Sequence, residues 1–349
     1  VTGLTGPMDH ALRLARRGLG QVWPNPAVGC VIVKDGVVVG RGWTRPGGRP
    51  HAEAVALAQA GGAARGATAF VTLEPCAHHG RTPPCAEALI AAGVARVVTA
   101  LTDPDPRVAG RGHAMLRAAG IDVVEDIRAA GAAEVNRGFL LRVTEGRPMV
   151  TLKLALSLDG RIATSSGESR WITGEAARHR VHLLRFTHDA VLVGGGTARA
   201  DAPRLDVRGF GEVAQPLRIV LARGAVPPLP EGAPVWHLHG PGGAAMAGSG
   251  GIAVPVAGEG LDLRAALAAL GARGLTRVLC EGGGRLAAGL LAAGLVDELV
   301  VMQAGLALGA EGRPGVGLLA LSRLADARRF RLIRSFAAGP DLVSVWRPA

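Results

Sequence analysis

One histidine, one glutamate and two cysteines carry the most specific chemistry in this sequence. His51-Ala52-Glu53 follows Pro50 in GRPHAEAVAL, and Cys76 and Cys85 flank AHHGRTPP in TLEPCAHHGRTPPCAEAL. One imidazole and two thiolates form a zinc donor set, and three protein ligands leave a fourth position for water, as in a catalytic site. Zinc lowers the pKa of such a water to about 7. Glu53, two residues from the histidine, is then free to carry a proton from that water to a ring nitrogen and on to departing ammonia. The order H-x-E…P-C…C is that of zinc deaminases acting on a base. Each fragment alone is weak, and a lone His51 reads equally well as a capping or surface histidine. A structural zinc with His78 or His79 as fourth ligand is the competing reading. The joint occurrence, with a strand-loop-helix pattern around it, favours the catalytic one. Both thiolates are expected at helix N-termini, where the dipole favours deprotonated sulfur.

The elements that must position these groups alternate along the first half. Helices are expected over 9–18, 51–60, 85–92 and 112–119. Strands are expected over 28–34, 37–42, 69–73, 96–100 and 121–124, the first two joined as a hairpin at Asp35-Gly36. This alternation implies an α/β sandwich with parallel pairing in its later strands. The pattern pauses at Glu145-Gly146-Arg147-Pro148, which sets domains of 1–146 and 147–349. The second half repeats the α/β alternation: strands over 149–156, 190–193, 217–221, 235–239, 277–280 and 298–302, helices over 175–186, 262–273 and 284–293. Residues 206–216 and much of 223–261 read as loops. Two Gly-rich turns, Gly194-Gly195-Gly196 and Gly282-Gly283-Gly284, follow strands and suit close approach of backbone to a phosphate. Neither completes a G-x-G-x-x-G fingerprint with a downstream acid, so a Rossmann domain is not supported, and plain tight turns explain the glycines equally well.

Composition sets the outer limits. A chain of 349 residues suits two domains, and 48% hydrophobic residues give each a core. The net charge of +11 raises the question of nucleic acid, but the arginines are scattered and lack interleaved aromatics, so anionic small ligands fit better. Four cysteines are no disulfide scaffold; Cys30 and Cys280, inside apolar runs, read as core thiols. The longest apolar stretch, Leu286–Val296, is too short to span a bilayer. With no signal-peptide pattern at the start, the expectation is a soluble, cytoplasmic protein without membrane or nucleic-acid partners.

The usual deaminase pattern has two residues between its cysteines, whereas eight intervene here. With PNPAVGCVIVKDGVVVGRG and LEPCAHHGRTPPC, that spacing closely resembles the bacterial bifunctional riboflavin-biosynthesis deaminase-reductase family. The likeness continues through ALTDPDPRVAGRG, NRGFLLR, LKLALSLDGRIAT, SGESRWITG, AGLVDEL and GPDL. It implies a cytidine-deaminase-like three-layer α/β/α domain followed by a dihydrofolate-reductase-like α/β domain. The first would deaminate 2,5-diamino-6-ribosylamino-4(3H)-pyrimidinone 5′-phosphate, with His51, Cys76 and Cys85 as zinc ligands and Glu53 as proton shuttle. Asn25 would contact the pyrimidine, although a turn asparagine between two prolines is the plainer reading. The loop His78-His79-Gly80-Arg81 would help enclose the substrate or simply be solvated.

The second domain would use NADPH to reduce the ribosyl group to ribityl, by hydride delivery to C1′ of the ring-opened imine. The resemblance places Ala155, Trp171, Thr197, Asp201 and the stretch Gly283, Gly284, Arg285, Leu286, Ala287, Ala288 and Gly289 against NADPH. It places Ser169, Arg185, Leu205, Arg208 and Glu281 against the substrate, the two arginines suiting its phosphate. Lys153 and Asp201 are the ionisable candidates for assisting reduction; a surface lysine and a capping carboxylate are the alternatives. Where relatives often read A-D-D-P-x-L-T, this chain has Ala202 and Asp206, and Gly305-Leu306-Ala307-Leu308-Gly309 departs from a P-x-L-L-G strand end, so cofactor affinity is open to change. The family also implies a homo-oligomer. Two other readings compete. A nucleic-acid deaminase predicts a two-residue cysteine spacing and a basic groove with stacking aromatics. A zinc-stabilised binding protein without activity has no need of Glu53.

Overall fold

The computed structural model describes residues 2–79, 83–105 and 109–349. The chain divides into two compact units, Val1–Gly146 and Arg147–Ala349.

The first unit runs α1 (Thr2–Ala15), β1 (Gly29–Lys34), β2 (Val37–Trp43), α2 (Ala52–Ala60), β3 (Thr68–Val71), α3 (Cys85–Ala92), β4 (Arg96–Thr99), α4 (Arg111–Ala118), β5 (Asp122–Val124), α5 (Ala129–Val135) and α6 (Arg137–Glu145). Its five strands lie in the order β2-β1-β3-β4-β5. The first three are antiparallel, while β3–β4 and β4–β5 are parallel. Asp35 and Gly36 turn the hairpin with φ of 50° and 79°, the left-handed pair that a two-residue connection demands. Strand periodicity then decides the layers. Cys30, Ile32, Ala69, Val71 and Val97 pack on Ala52, Ala56, Ala86, Leu89 and Leu116 of α2, α3 and α4. The intervening Val31, Phe70 and Val98 pack on Met8, Ala11 and Ala15 of α1 and Ala132 and Val135 of α5. The result is the expected α/β/α sandwich.

Two elements differ from the sequence reading. The first helix starts at Thr2 and ends at Ala15 rather than spanning 9–18. Residues 129–145, to which the sequence reading assigns no element, form α5 and α6. The alanines and glycine of α5 give no amphipathic signal; the helix exists because Ala132 and Val135 are buried against the sheet, and tertiary packing supplies most helical stability.

The second unit runs β6 (Met149–Leu156), β7 (Arg161–Ala163), α7 (Glu175–Phe186), β8 (Ala190–Gly194), α8 (Gly195–Asp201), β9 (Leu217–Leu221), β10 (Val235–His239), β11 (Gly250–Ala253), the short pair β12 (Val256–Ala257) and β13 (Gly260–Leu261), α9 (Leu263–Ala272), β14 (Arg277–Cys280), α10 (Gly284–Ala292), β15 (Glu298–Gln303), β16 (Arg313–Pro314), β17 (Phe330–Ala338) and β18 (Asp341–Pro348). Nine strands form one sheet in the order β11-β10-β9-β8-β14-β6-β15-β18-β17. Strands β11 through β15 in that order are parallel, and β18 and β17 add an antiparallel edge. Parallel central strands buried on both faces need near-continuous apolar runs, and VLVG, RIVL and RVLC provide them. Of the final hairpin, β18 alternates buried and outward positions along DLVSV, whereas β17 is exposed over most of its length and shows no such alternation. Among the described residues no helix is long and apolar enough to cross a membrane.

Candidate active sites

In the first unit, His51, Cys76 and Cys85 converge. Their ligand atoms all lie within 4.8 Å of one another. His51 Nδ1 is 3.3 Å from Cys85 Sγ and 3.8 Å from Cys76 Sγ. His51 caps the start of α2 and Cys85 is the first residue of α3. Cys76 departs from expectation: it lies in the loop after β3 rather than on a helix. Its sulfur nevertheless meets a helix N-terminus, because the Cys85 N–H donates to it at 3.3 Å. The Cys85 thiol and that N–H hold the Cys76 thiol down at about 4, with His51 adding to the effect. The Cys76 thiolate and burial push the Cys85 thiol well up. Two thiols that share one proton in this way, beside an imidazole, fit a divalent soft cation that would replace that proton. Neither His78 nor His79 joins the cluster; His79 Nε2 instead pairs with Glu87 at 3.0 Å. Three protein ligands are the donor count of a catalytic zinc site.

Glu53 lies in the first turn of α2 and is only 3% exposed. Burial, followed by the Cys76 thiolate, raises its carboxyl to about 7, with His51 acting against them. Close packing of α2 on β2 sets this position. A Cβ on Gly40 would lie 2.3 Å from the Ala56 carbonyl oxygen, and one on Gly42 2.1 Å from that of Ala52. These alternate glycines let the helix backbone rest on the strand, a use of Gly that VVVGRGW does not announce.

The segments around the cluster are tied by residues that the motifs did not single out. Glu74, two residues before Cys76 and 3% exposed, accepts four backbone N–H bonds. Its Oε2 takes those of Asp103 (3.2 Å) and Gly110 (2.9 Å), and its Oε1 those of Gly112 (2.9 Å) and His113 (3.3 Å). The Cys76 loop is thereby fixed to the N-terminus of α4. Asn136, from NRGFLLR, clasps both backbone groups of Ala27, accepting at 2.9 Å and donating at 3.2 Å. That fixes the turn holding Asn25, whose Nδ2 donates to Gly48 O at 2.9 Å, three residues before His51. The only signals were an acid beside Pro-Cys and an asparagine in an otherwise helical run. Gly80 and Arg81 of the proposed enclosing loop lie outside the described residues; His78 and His79 are exposed.

In the second unit the carboxyl ends of β6, β14 and β8 lie side by side, and most of the residues singled out fall there. Lys153 and Ala155 are on β6, Glu281 follows β14, and Thr197 is on α8 after β8. The two Gly-rich turns touch: the Gly283 N–H donates to Thr197 Oγ1 at 3.0 Å. A Cβ on Gly282 would lie 2.6 Å from Gly194 N, so this glycine is required by its neighbour. Lys153 is half-buried on a central strand, which removes the surface-lysine alternative. Burial depresses its ammonium; Glu281 opposes and Arg185 assists. Arg185 and Glu281 form a two-pronged pair, Nε to Oε1 at 2.6 Å and Nη2 to Oε2 at 2.9 Å. The carboxyl of Glu281 is held low despite burial, by Arg185 and then Lys153.

The remaining residues divide by how they are presented. Trp171 is 66% exposed, with the Arg178 guanidinium 4.7 Å from its ring centre, and Ser169 lies half-buried in the same loop. Asp201 is exposed at the C-terminal end of α8, and Arg208 carries an exposed guanidinium. Leu205 sits in the core, and Leu286, Ala287 and Ala288 are buried on α10, so these four could meet a ligand only through their backbone. Gly283 caps α10, Gly284 opens it, Arg285 is exposed and Gly289 is half-buried.

Comparison with known proteins accounts for both units. Residues 5–101 match the cytidine and deoxycytidylate deaminase zinc-binding region, and residues 148–344 match the RibD C-terminal domain. The riboflavin biosynthesis protein RibD of Escherichia coli is 44% identical over 359 residues, covering 96% of each chain. That of Haemophilus influenzae is 42% identical, covering 98% of this chain and 96% of the other. A solved structure of Acinetobacter baumannii RibD superposes with a TM-score of 0.90 at 40% identity, over 100% of this chain and 99% of that one. The diaminohydroxyphosphoribosylaminopyrimidine deaminase/5-amino-6-(5-phosphoribosylamino)uracil reductase of Thermotoga maritima gives a TM-score of 0.89 at 33% identity with the same coverage. With one matched domain in each unit and relatives of this identity along its length, the chain belongs to the RibD family of bifunctional riboflavin-biosynthesis enzymes, a zinc-binding deaminase domain joined to a reductase domain.

Proposed function

We propose that the first unit deaminates 2,5-diamino-6-ribosylamino-4(3H)-pyrimidinone 5′-phosphate. The second would then reduce the ribosyl side chain with NADPH to give 5-amino-6-ribitylamino-2,4(1H,3H)-pyrimidinedione 5′-phosphate. The observation that carries this reading is a three-residue ligand cluster, one short of a structural site, with a buried carboxyl beside it. Zinc held by His51, Cys76 and Cys85 would supply Lewis acidity, lowering the pKa of a water to about 7. Glu53, itself poised near 7, takes one proton from the attacking water to the ring nitrogen, then carries the second, from the hydroxyl now on the carbon, to the departing amine as the carbonyl forms. Water is consumed and ammonia released. Asn25, held by Gly48 and by the Asn136 clasp behind its turn, would orient the pyrimidine.

In the second unit NADPH supplies the hydride, and the chain supplies position and charge. The touching Gly-rich turns and the start of α10 offer backbone N–H groups to the cofactor's phosphates. Ala155, Thr197, Trp171 and Asp201 would complete that contact. Lys153, with its depressed ammonium between Glu281 and Arg185, is suited to hand a proton to the substrate as the hydride arrives at C1′. Arg208 would offer the substrate's phosphate an exposed guanidinium, paired with Asp206 through Nε at 3.3 Å, with the Leu205 backbone just before it in sequence and Ser169 supplied by the Trp171 loop. Arg185 is committed to Glu281 and to the Asp206 carbonyl, so it acts more through the shape of this corner than as a free cation.

The deciding experiment supplies the diaminopyrimidinone phosphate with and without NADPH. Ammonia is expected in both cases, and NADPH consumption only after deamination. Glu53→Gln is expected to slow ammonia release by about 10²-fold or more, and a normal rate would overturn the mechanism.

A further inference from the structure

Beyond the residues already assigned, α7 clamps the segment that carries Leu205 and Arg208. His179 stacks on Phe210 with ring centres 4.7 Å apart, and Phe186 lies 6.2 Å from the same ring. Between them, Arg185 Nη1 donates to the Asp206 carbonyl oxygen at 2.8 Å. His182 Nδ1 lies 3.0 Å from that same oxygen and 3.2 Å from the Arg208 backbone nitrogen, whose N–H points at it. A ring nitrogen accepts or donates, not both. The Arg208 N–H is a fixed donor aimed at Nδ1, and the Asp206 carbonyl keeps its Arg185 partner either way, so the neutral ring with its proton on Nε2 leaves neither backbone group unpaired. Protonation would place a hydrogen on Nδ1, turn it toward Asp206 O and break the bond to Arg208.

We propose that His182 is a positioning residue of the reductase site: its Nδ1 accepts the Arg208 amide and so fixes the segment that presents the Arg208 guanidinium to the phosphate of the substrate. The inference rests on the reading of Arg208 as a phosphate contact. The charged and titratable groups facing the ring are Arg185 on its own helix, Asp206 and Arg208 on the clamped segment, and Glu281 at the end of β14. Burial, then Arg185, holds the imidazole below its ordinary value, with Arg208 assisting and Asp206 opposing. The accepting, neutral form is therefore the one present near neutral pH.

The test is steady-state reduction of the deaminated phosphate by the full-length enzyme. Arg208→Ala is expected to raise KM for that substrate by about tenfold or more, with kcat little changed; an unaltered KM would sink the phosphate reading itself. His182→Phe removes the acceptor and should raise KM about threefold or more, the scale of one net hydrogen bond at an exposed amide, with kcat kept. His182→Gln, whose amide oxygen can accept the same N–H, should recover most of it. In the double variant His182→Phe/Arg208→Ala, KM should match that of Arg208→Ala alone, because one residue acts through the other. Below about pH 6.5 the wild-type KM should climb relative to that of His182→Gln at each pH, a comparison in which titration of the substrate phosphate cancels. If Arg208→Ala raises KM while His182→Phe does not, or if the two effects multiply, the inference fails and the phosphate reading stands. Should His182→Phe not fold, parallel pH profiles for wild type and His182→Gln would overturn it just as well.

Discussion

Single residues divide here between those that meet the chemistry and those that hold them in place. Among the described residues Cys76 and Cys85 are the thiols of the candidate metal cluster, with no further His, Cys, Asp or Glu completing it. Cys76→Ser or Cys85→Ser is expected to abolish tight metal retention, measured as zinc per chain after dialysis against a chelator, together with ammonia release. Glu74 touches no ligand atom, yet it gathers four backbone amides onto one buried carboxylate. Glu74→Leu leaves those donors unpaired and should cost about 3 kcal/mol or more, since each unmet buried group costs about 1–3 kcal/mol. Chemical denaturation of the first unit's transition would measure it, and a loss under about 1 kcal/mol would show that water replaces the carboxylate.

Between elements, close backbone approach and buried polar ties decide the geometry. The turn after β14 reaches the turn after β8 only because Gly282 has no side chain. Gly282→Ala should weaken NADPH binding in equilibrium titration and destabilise the second unit by about 1–3 kcal/mol. A second tie joins α7 to β6. His188 is 2% exposed; its Nδ1–H donates to Leu184 O at 2.7 Å and its Nε2 accepts from Thr151 Oγ1 at 2.9 Å. Burial, with Arg277 assisting, depresses its imidazole to about 3. Below pH 6.5 the unfolded chain binds this proton and the folded one does not, so stability falls with pH until about 3 and is unaffected by this group above 6.5. The slope is at most about 1.4 kcal/mol per pH unit. Denaturant unfolding between pH 7.5 and 5 should show this loss, and His188→Gln should flatten it; equal slopes would show that the buried ring titrates normally.

For the whole molecule, each matched domain falls within one compact unit. The chain therefore carries two active sites whose residues come from separate stretches of sequence. The Glu53→Gln enzyme, blocked in deamination, is expected to reduce already deaminated substrate within about twofold of the wild-type rate, because Glu53 acts only on the amine. A loss of reduction in that variant would mean that the two activities are coupled.

The donor cluster was legible because metal chemistry restricts donor type and number whatever the fold, so His51, Glu53, Cys76 and Cys85 stand out as side-chain types at a spacing. The central strands and α7 were legible because buried parallel strands are written as short apolar runs and amphipathic helices as a 3.6-residue period. Strand β17, exposed along nearly its length, and α5, built of small residues, carry no such pattern. The roles of Gly40, Gly42, Glu74, Asn136 and His182 were decided only by tertiary structure. A glycine's purpose lies in what a Cβ would strike, and a buried polar group's in which backbone amides reach it. Both depend on segments distant in sequence, and no local period records them.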